Sequence, residues 1–256
     1  MWALLNPALL MLVLTAVFST LMRFPIPNFP IFLLSALLPW TFFSQALSYG
    51  VESIVGNADL IKKVSVPKLV FPMAAVVANL INLLLSLIPL ALLILLLKHP
   101  FHWTRLYLPV PVAALSIFTL GTCFLFTTAN VIVAMSRTLS IIQVILSAWF
   151  YLTPIIYSLD FIPAKHQWLF KLNPLIYVIN GFRLSVYYGQ LPRLQSIAAS
   201  FVCGLITLFI GFGLFRRYQN DFVFLCVSRN GAECWWQPLP APRFGKISYP
   251  VGLSVL

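Results

Sequence analysis

The side chains able to do acid–base, metal or nucleophilic chemistry are few in this chain of 256 residues. Its five acids are Glu52, Asp59, Asp160, Asp221 and Glu233, and none lies deep in an apolar run. Coupled carriers keep an ionisable group at the membrane midplane, so their chemistry is not expected here. His99 and His102 lie three apart, but no Cys, Asp or Glu is near enough in sequence to complete a metal site. Cys123 and Cys203 sit inside apolar runs and Cys226 and Cys234 in the tail; no Cys-x-x-Cys occurs. The Gly-x-x-x-x-Gly-Lys-Ser/Thr phosphate loop is absent, and so is any evident Ser-His-Asp or Cys-His constellation. Neither enzymatic activity nor a cofactor of its own is expected. What remains is a conduit whose energy comes from a partner.

One compact cluster stands apart. Between Gly56 and Pro72, Asp59, Lys62, Lys63 and Lys68 fall together between two long apolar runs, so this stretch must face water. Asn57 or Asp59 can cap a short helix and Pro67 stops it. Leu60, Ile61 and Val64 recur at helical spacing, which makes the piece amphipathic. It reads as a lever that takes a push from outside the membrane.

The elements that must hold this lever are membrane helices. Hydrophobic residues make up 61% of the chain and charged residues 8%, against about a quarter charged in a soluble domain. The apolar runs are long and continuous, which excludes the dyad pattern of a β-barrel. The net charge of +11 comes from basic residues scattered at the ends of apolar runs, so nucleic acid is not expected as a partner. A span needs about 20 apolar residues. Six candidates follow: residues 4–22, 31–53, 72–97, 106–134, 139–157 and 194–215. The fold class is therefore all-α integral membrane protein.

Residues 158–193 mix Asp160, Lys165, His166, Lys171 and Arg183 with apolar pieces too short to span, and read as re-entrant or interfacial helices. Asn173-Pro174 is a helix start. Lys62, Lys63, Lys68, Arg137, Arg216 and Arg217 would mark the cytoplasmic side. Arg23, Lys98, Arg105, Lys165, Lys171, Arg183 and Arg193 would mark the other. Both termini would then be cytoplasmic. Ser44, Gln45 and Ser48 either pack on neighbouring helices or line a polar path, and the sequence leaves both open. Asn79 and Asn82 read as one packing face. Trp40, Phe42, Phe43, Trp149, Phe150, Tyr151 and Tyr157 cluster near span ends as an interfacial aromatic belt does.

Leu38-Pro39-Trp40-Thr41-Phe42-Phe43, Asn57 to Lys68, Tyr151-Leu152-Thr153-Pro154-Ile155-Ile156-Tyr157, Asn173-Pro174 and Arg183 follow in this order. Together they resemble the permease subunit of type-2 ABC exporters of surface polysaccharides: O-antigen, capsule and teichoic acid. The likeness covers residues 2–222, the transmembrane domain, and leaves 223–256 as an atypical, Pro-rich and poorly ordered tail. It implies six spans, a homodimer in the bacterial cytoplasmic (inner) membrane, and a separate ATPase subunit that binds the ATP and magnesium. The cargo would be a lipid-linked polysaccharide. Asn57, Asp59, Leu60, Ile61, Lys62, Lys63, Val64, Pro67 and Lys68 would form the coupling helix. Trp40, Tyr151 and Tyr157 would touch glycan, since aromatic faces stack on sugar rings. Asn173, Pro174 and Arg183 would shape the external mouth. Family members begin with a basic amphipathic helix, and this chain starts directly at Trp2, as if truncated. The competing expectations are an intramembrane enzyme of glycan or lipid assembly, resting on Asp160 or His166, and an inactive scaffold.

Overall fold

A computed structural model describes residues 28–57, 67–98, 103–133, 138–156 and 173–219, with Leu9 and Val13 alone before them. Among the described residues every regular element is helical. Helix α1 runs Phe29–Gly56, α2 Val70–Leu96, α3 Pro109–Val133, α4 Thr138–Leu152, α5 Pro174–Arg183 and α6 Leu194–Tyr218. A 3-10 turn, Trp103–Tyr107, leads into α3. A π turn, Leu184–Tyr188, continues α5 and ends at Gly189, whose left-handed φ of 64° suits a residue without Cβ. The first expected span and the tail lie outside the described residues.

Four helices are long and apolar enough to cross a bilayer: α1, α2, α6, and α3 together with its 3-10 lead. The fifth expected span is shorter than its apolar run. Helix α4 has 15 residues, about 22 Å at 1.5 Å per residue. It stops at Leu152 because Pro154 disfavours helical backbone in the residue before it. The expected turn before the second span is shorter too. Phe29 and Pro30 already belong to α1, and Pro30 fits the first turn, where a missing donor costs nothing.

Helix α1 is the centre. Its first turns are almost wholly buried, with Ile31, Phe32 and Leu34 at 0% exposure, and α2, α3, α4 and α5 all pack on it. The most extensive helix pair is α3 with α6. A Cβ added at Gly121 would come within 2.5 Å of the Leu208 backbone nitrogen, and one at Gly211 would strike the Gly121 carbonyl. Only glycines let these two backbones come so close, as membrane helices without a hydrophobic drive require. Between α1 and α3 the contact is polar. Thr127 donates to the Gly50 carbonyl at 3.1 Å and Asn130 Nδ2 to the Val51 carbonyl at 2.9 Å, while the Cys123 thiol fills the notch at Gly50.

Two sequence expectations change here. Asn79 is buried and donates to the Ala75 carbonyl at 2.8 Å, whereas Asn82 is exposed. Three residues turn a helix by about 300°, so the pair straddles the edge of the packed face. Trp40, Phe42 and Phe43 are core, at 6%, 3% and 0% exposure. Trp40 meets Phe150 edge-on at 5.5 Å, and Phe43 meets Trp149 at 5.3 Å and Phe118 at 5.7 Å. These rings join α1 to α4 and α3 instead of forming a belt.

Candidate functional site

The break after α4 gathers the three residues expected at the mouth. Asn173 caps α5: its Oδ1 accepts from the Leu175 backbone N–H and from the Trp149 indole, both at 3.1 Å. Its Nδ2 donates to Thr153 Oγ1 at 2.9 Å, and Thr153 in turn donates to the Trp149 carbonyl at 2.9 Å. Pro174 occupies the first helical position beside this cap. Arg183, expected as a loop charge in water, is 3% exposed. It donates from its two terminal nitrogens to the Pro154 and Ile155 carbonyls, at 3.1 and 2.8 Å, and lies 3.9 Å from the centre of the Phe32 ring. Those carbonyls are open to it because α4 has ended. Burial pulls its pKa down to about 10, with Tyr188 pulling the other way, so it stays cationic at neutral pH. Phe32 also meets Tyr187 edge-on at 5.4 Å, which seats the π turn on α1.

Below this junction, α1 and α4 each leave a polar stripe uncovered. On α1, Gln45 and Glu52 are exposed and Thr41, Ser44 and Ser48 half-buried. At 100° per residue they fall within an arc of about 100°. On α4, Ser140, Gln143, Ser147 and Tyr151 are all exposed, within an arc of about 80°. The pairs Trp40–Phe150 and Phe43–Trp149 run in opposite sequence directions, as in antiparallel helices, and extending that register puts Gln45 level with Ser147 and Glu52 level with Ser140. The hydroxyls hide their protons on their own backbones. Thr41 donates to Leu38 at 2.8 Å, Ser44 to Thr41 at 3.2 Å, Ser48 to Ser44 at 2.8 Å and Ser147 to Gln143 at 2.8 Å. Each oxygen keeps lone pairs for an outside donor.

The expected lever is described only at its ends. Residues 58–66, and with them Asp59, Leu60, Ile61, Lys62, Lys63 and Val64, lie outside the described residues. Asn57 ends α1, its Nδ2 donating to the Ser53 carbonyl at 2.8 Å. Pro67 accepts from the Val70 backbone N–H at 3.0 Å, at the start of α2. Lys68 donates to the Gln219 carbonyl at the end of α6. Lys68, Arg216 and Arg217 therefore share one end of the molecule. At the opposite end Thr104 donates to the Ser185 carbonyl at 3.2 Å.

The sequence model of the membrane family described as ABC-2 type transporter matches residues 1–187. This chain belongs to the ABC-2 transporter family. It is a multi-pass membrane protein, as that family is. It is similar to the O-antigen export system permease protein RfbA of Myxococcus xanthus, 32% identical over 225 residues, covering 87% of this chain and 85% of the relative. The protein of that name in Klebsiella pneumoniae is 28% identical, with the same coverage. The polysialic acid transport protein KpsM of Escherichia coli is 28% identical over 230 residues, covering 86% of each.

Against this ABC-2 frame, the three mouth residues converge on one junction. Of the three aromatics expected to meet glycan, Trp40 is enclosed and Tyr151 is 72% exposed; Tyr157 lies outside the described residues. Reasoning from sequence missed Thr153 and Trp149 as partners of Asn173, and the α4 stripe. That stripe was detectable: Ser140, Gln143, Ser147 and Tyr151 recur at i, i+3, i+7 and i+11.

Proposed function

We propose that this chain is the membrane-spanning subunit of an ATP-driven exporter that moves a lipid-linked surface polysaccharide outward across the bacterial cytoplasmic membrane. The observation that carries this reading is the pair of polar stripes on α1 and α4. Hydroxyl and amide groups left uncovered on apolar helices are costly against lipid and suit a chain of sugars. The names of the relatives support the cargo class. Two copies of the chain would bring their stripes around one path. Tyr151 offers a ring on which a sugar face can stack, and the Asn173–Arg183 junction holds the outer end of α4.

ATP and its magnesium are bound by a separate ATPase subunit, and this chain binds neither. Asn57 to Lys68 is the coupling helix, with Leu60, Ile61 and Val64 as its contact face and Lys62 and Lys63 keeping it in the cytoplasm. Closure of the ATPases pushes it. The stroke enters α1 at Asn57 and reaches α3 through the Thr127 and Asn130 bonds to the last turns of α1.

The test is ATP-driven export of lipid-linked glycan into inverted vesicles holding the chain and its ATPase. Leu60→Pro breaks the lever helix and is expected to abolish ATPase association and export together. Retention of both refutes the lever. ATP-driven movement of the glycan in vesicles without the chain refutes the exporter.

A further inference from the structure

The chemistry of the two stripes selects among polysaccharides. Neither α1 nor α4 contains a lysine or arginine, and Glu52 is the one charged side chain on either. The cations of the described residues sit elsewhere. Lys68, Arg216 and Arg217 lie at one end. Lys98, in the turn after α2, Arg105, in the 3-10 turn, and Arg193, at the start of α6, lie at the other, and Arg183 is engaged with carbonyls. The preceding run, residues 1–22, holds no charged residue in its sequence.

The donor–acceptor balance points the same way. Four of the stripe hydroxyls spend their protons on their own helices, so they can only accept. A sugar hydroxyl is a donor and meets them well. A carboxylate or phosphate is acceptor-only and finds mostly lone pairs facing it, with the amides of Gln45 and Gln143 and the Ser140 hydroxyl as donors on the stripes. Near Glu52 it also meets a like charge. An anion at mid-membrane depth, with no countercharge on either helix, is strongly disfavoured.

We infer that the glycan crossing between these helices is uncharged along its repeat: a neutral polysaccharide, and not a polyanion of the kind named for the Escherichia coli relative. The inference rests on the exporter reading and adds to it the charge class of the cargo.

The experiment uses the unaltered chain with its ATPase in inverted vesicles. Two glycans of equal length are supplied on the same lipid carrier, one of neutral hexose repeats and one with a uronic acid in every repeat. The neutral glycan is expected to move at least tenfold faster. Methyl-esterifying the uronic acids should bring the second glycan to within about threefold of the first, because charge and not shape is the barrier. Equal rates for the neutral and the acidic glycan, or no gain on esterification, overturn the inference and leave the exporter intact. Failure of both glycans to move, with the ATPase bound and turning over, overturns the exporter reading and the inference with it. A companion measurement places the cargo. In a Gln143→Cys chain, the neutral glycan should protect the thiol from a polar maleimide, whereas a direct disulfide between two copies at every stage of the cycle makes the stripe a sealed seam and overturns the inference.

Discussion

Replacing Asn173 by alanine removes three hydrogen bonds at one junction, and their values can be separated. The bond from the Leu175 N–H is a helix cap, worth about 1 kcal/mol. The bond from the Trp149 indole joins α4 to α5, and such bonds in membrane proteins are worth about 0.6 kcal/mol, reaching about 1.7. The bond to Thr153 adds little, because Thr153 keeps its own donation to the Trp149 carbonyl. Asn173→Ala should therefore cost about 2 kcal/mol. Asn173→Ser keeps a capping oxygen but cannot reach the indole, so it should cost about 1 kcal/mol. Trp149→Phe deletes the orphaned donor and closes a double-mutant cycle, in which packing losses cancel. Reversible unfolding of the four proteins in mixed micelles, followed by tryptophan-independent circular dichroism, reads the coupling. It should be about 1 kcal/mol. Additivity of Asn173→Ala and Trp149→Phe to within about 0.3 kcal/mol would show that the indole bond contributes nothing, and the account of this junction would be wrong.

Other outcomes follow from single contacts. Gly121→Val should abolish folded yield, since its side chain meets the α6 backbone, whereas Gly204→Ala, with nearest neighbours at 3.4 Å, should be accepted within about 1 kcal/mol; detergent-solubilised yield and thermal unfolding compare them. Gly50→Ala should destabilise through the Cys123 thiol, and adding Cys123→Ala should restore most of the loss, about 1–3 kcal/mol. Arg183→Lys keeps the charge but cannot reach both carbonyls or lie flat on Phe32, and should cost about 1–3 kcal/mol in the same unfolding assay. Tyr151→Ala should lower export at least threefold at unchanged membrane level, because a ring that is 72% exposed buries little surface.

The spans from residue 28 onward were legible because unbroken apolar runs have one helical reading in lipid, and their ends moved by a few residues only. The start of α5 was legible too: Asn173-Pro174 states a cap and a first helical residue in two letters. The early end of α4 was written in Pro154 but outweighed by the apolar residues around it. The aromatic cluster misled because a ring near a span end looks the same from sequence whether it faces headgroups or a neighbouring helix. Arg183 was legible as unusual but not as buried, since its carbonyl partners lie 29 and 28 residues upstream. The close approach of α3 and α6 was not legible at all. Gly121 and Gly211 lie 90 positions apart, and although Thr207 and Gly211 form a small-xxx-small pair on α6, Gly121 stands between Ile117 and Leu125 on α3, so nothing in the sequence pairs the two helices.

The shortness of α4 has a consequence for the energy landscape of transport. A helix of about 22 Å does not fill a hydrocarbon layer of about 30 Å. Where it ends, the polar junction of Thr153, Asn173 and Arg183 begins, and water and headgroups can descend to meet it. The stretch over which a sugar chain must go without bulk water is then thinner beside α4 than beside the four longer helices of the described residues. Fewer rings are stripped of hydration at once, so the barrier to each forward step is set by the length of one truncated helix.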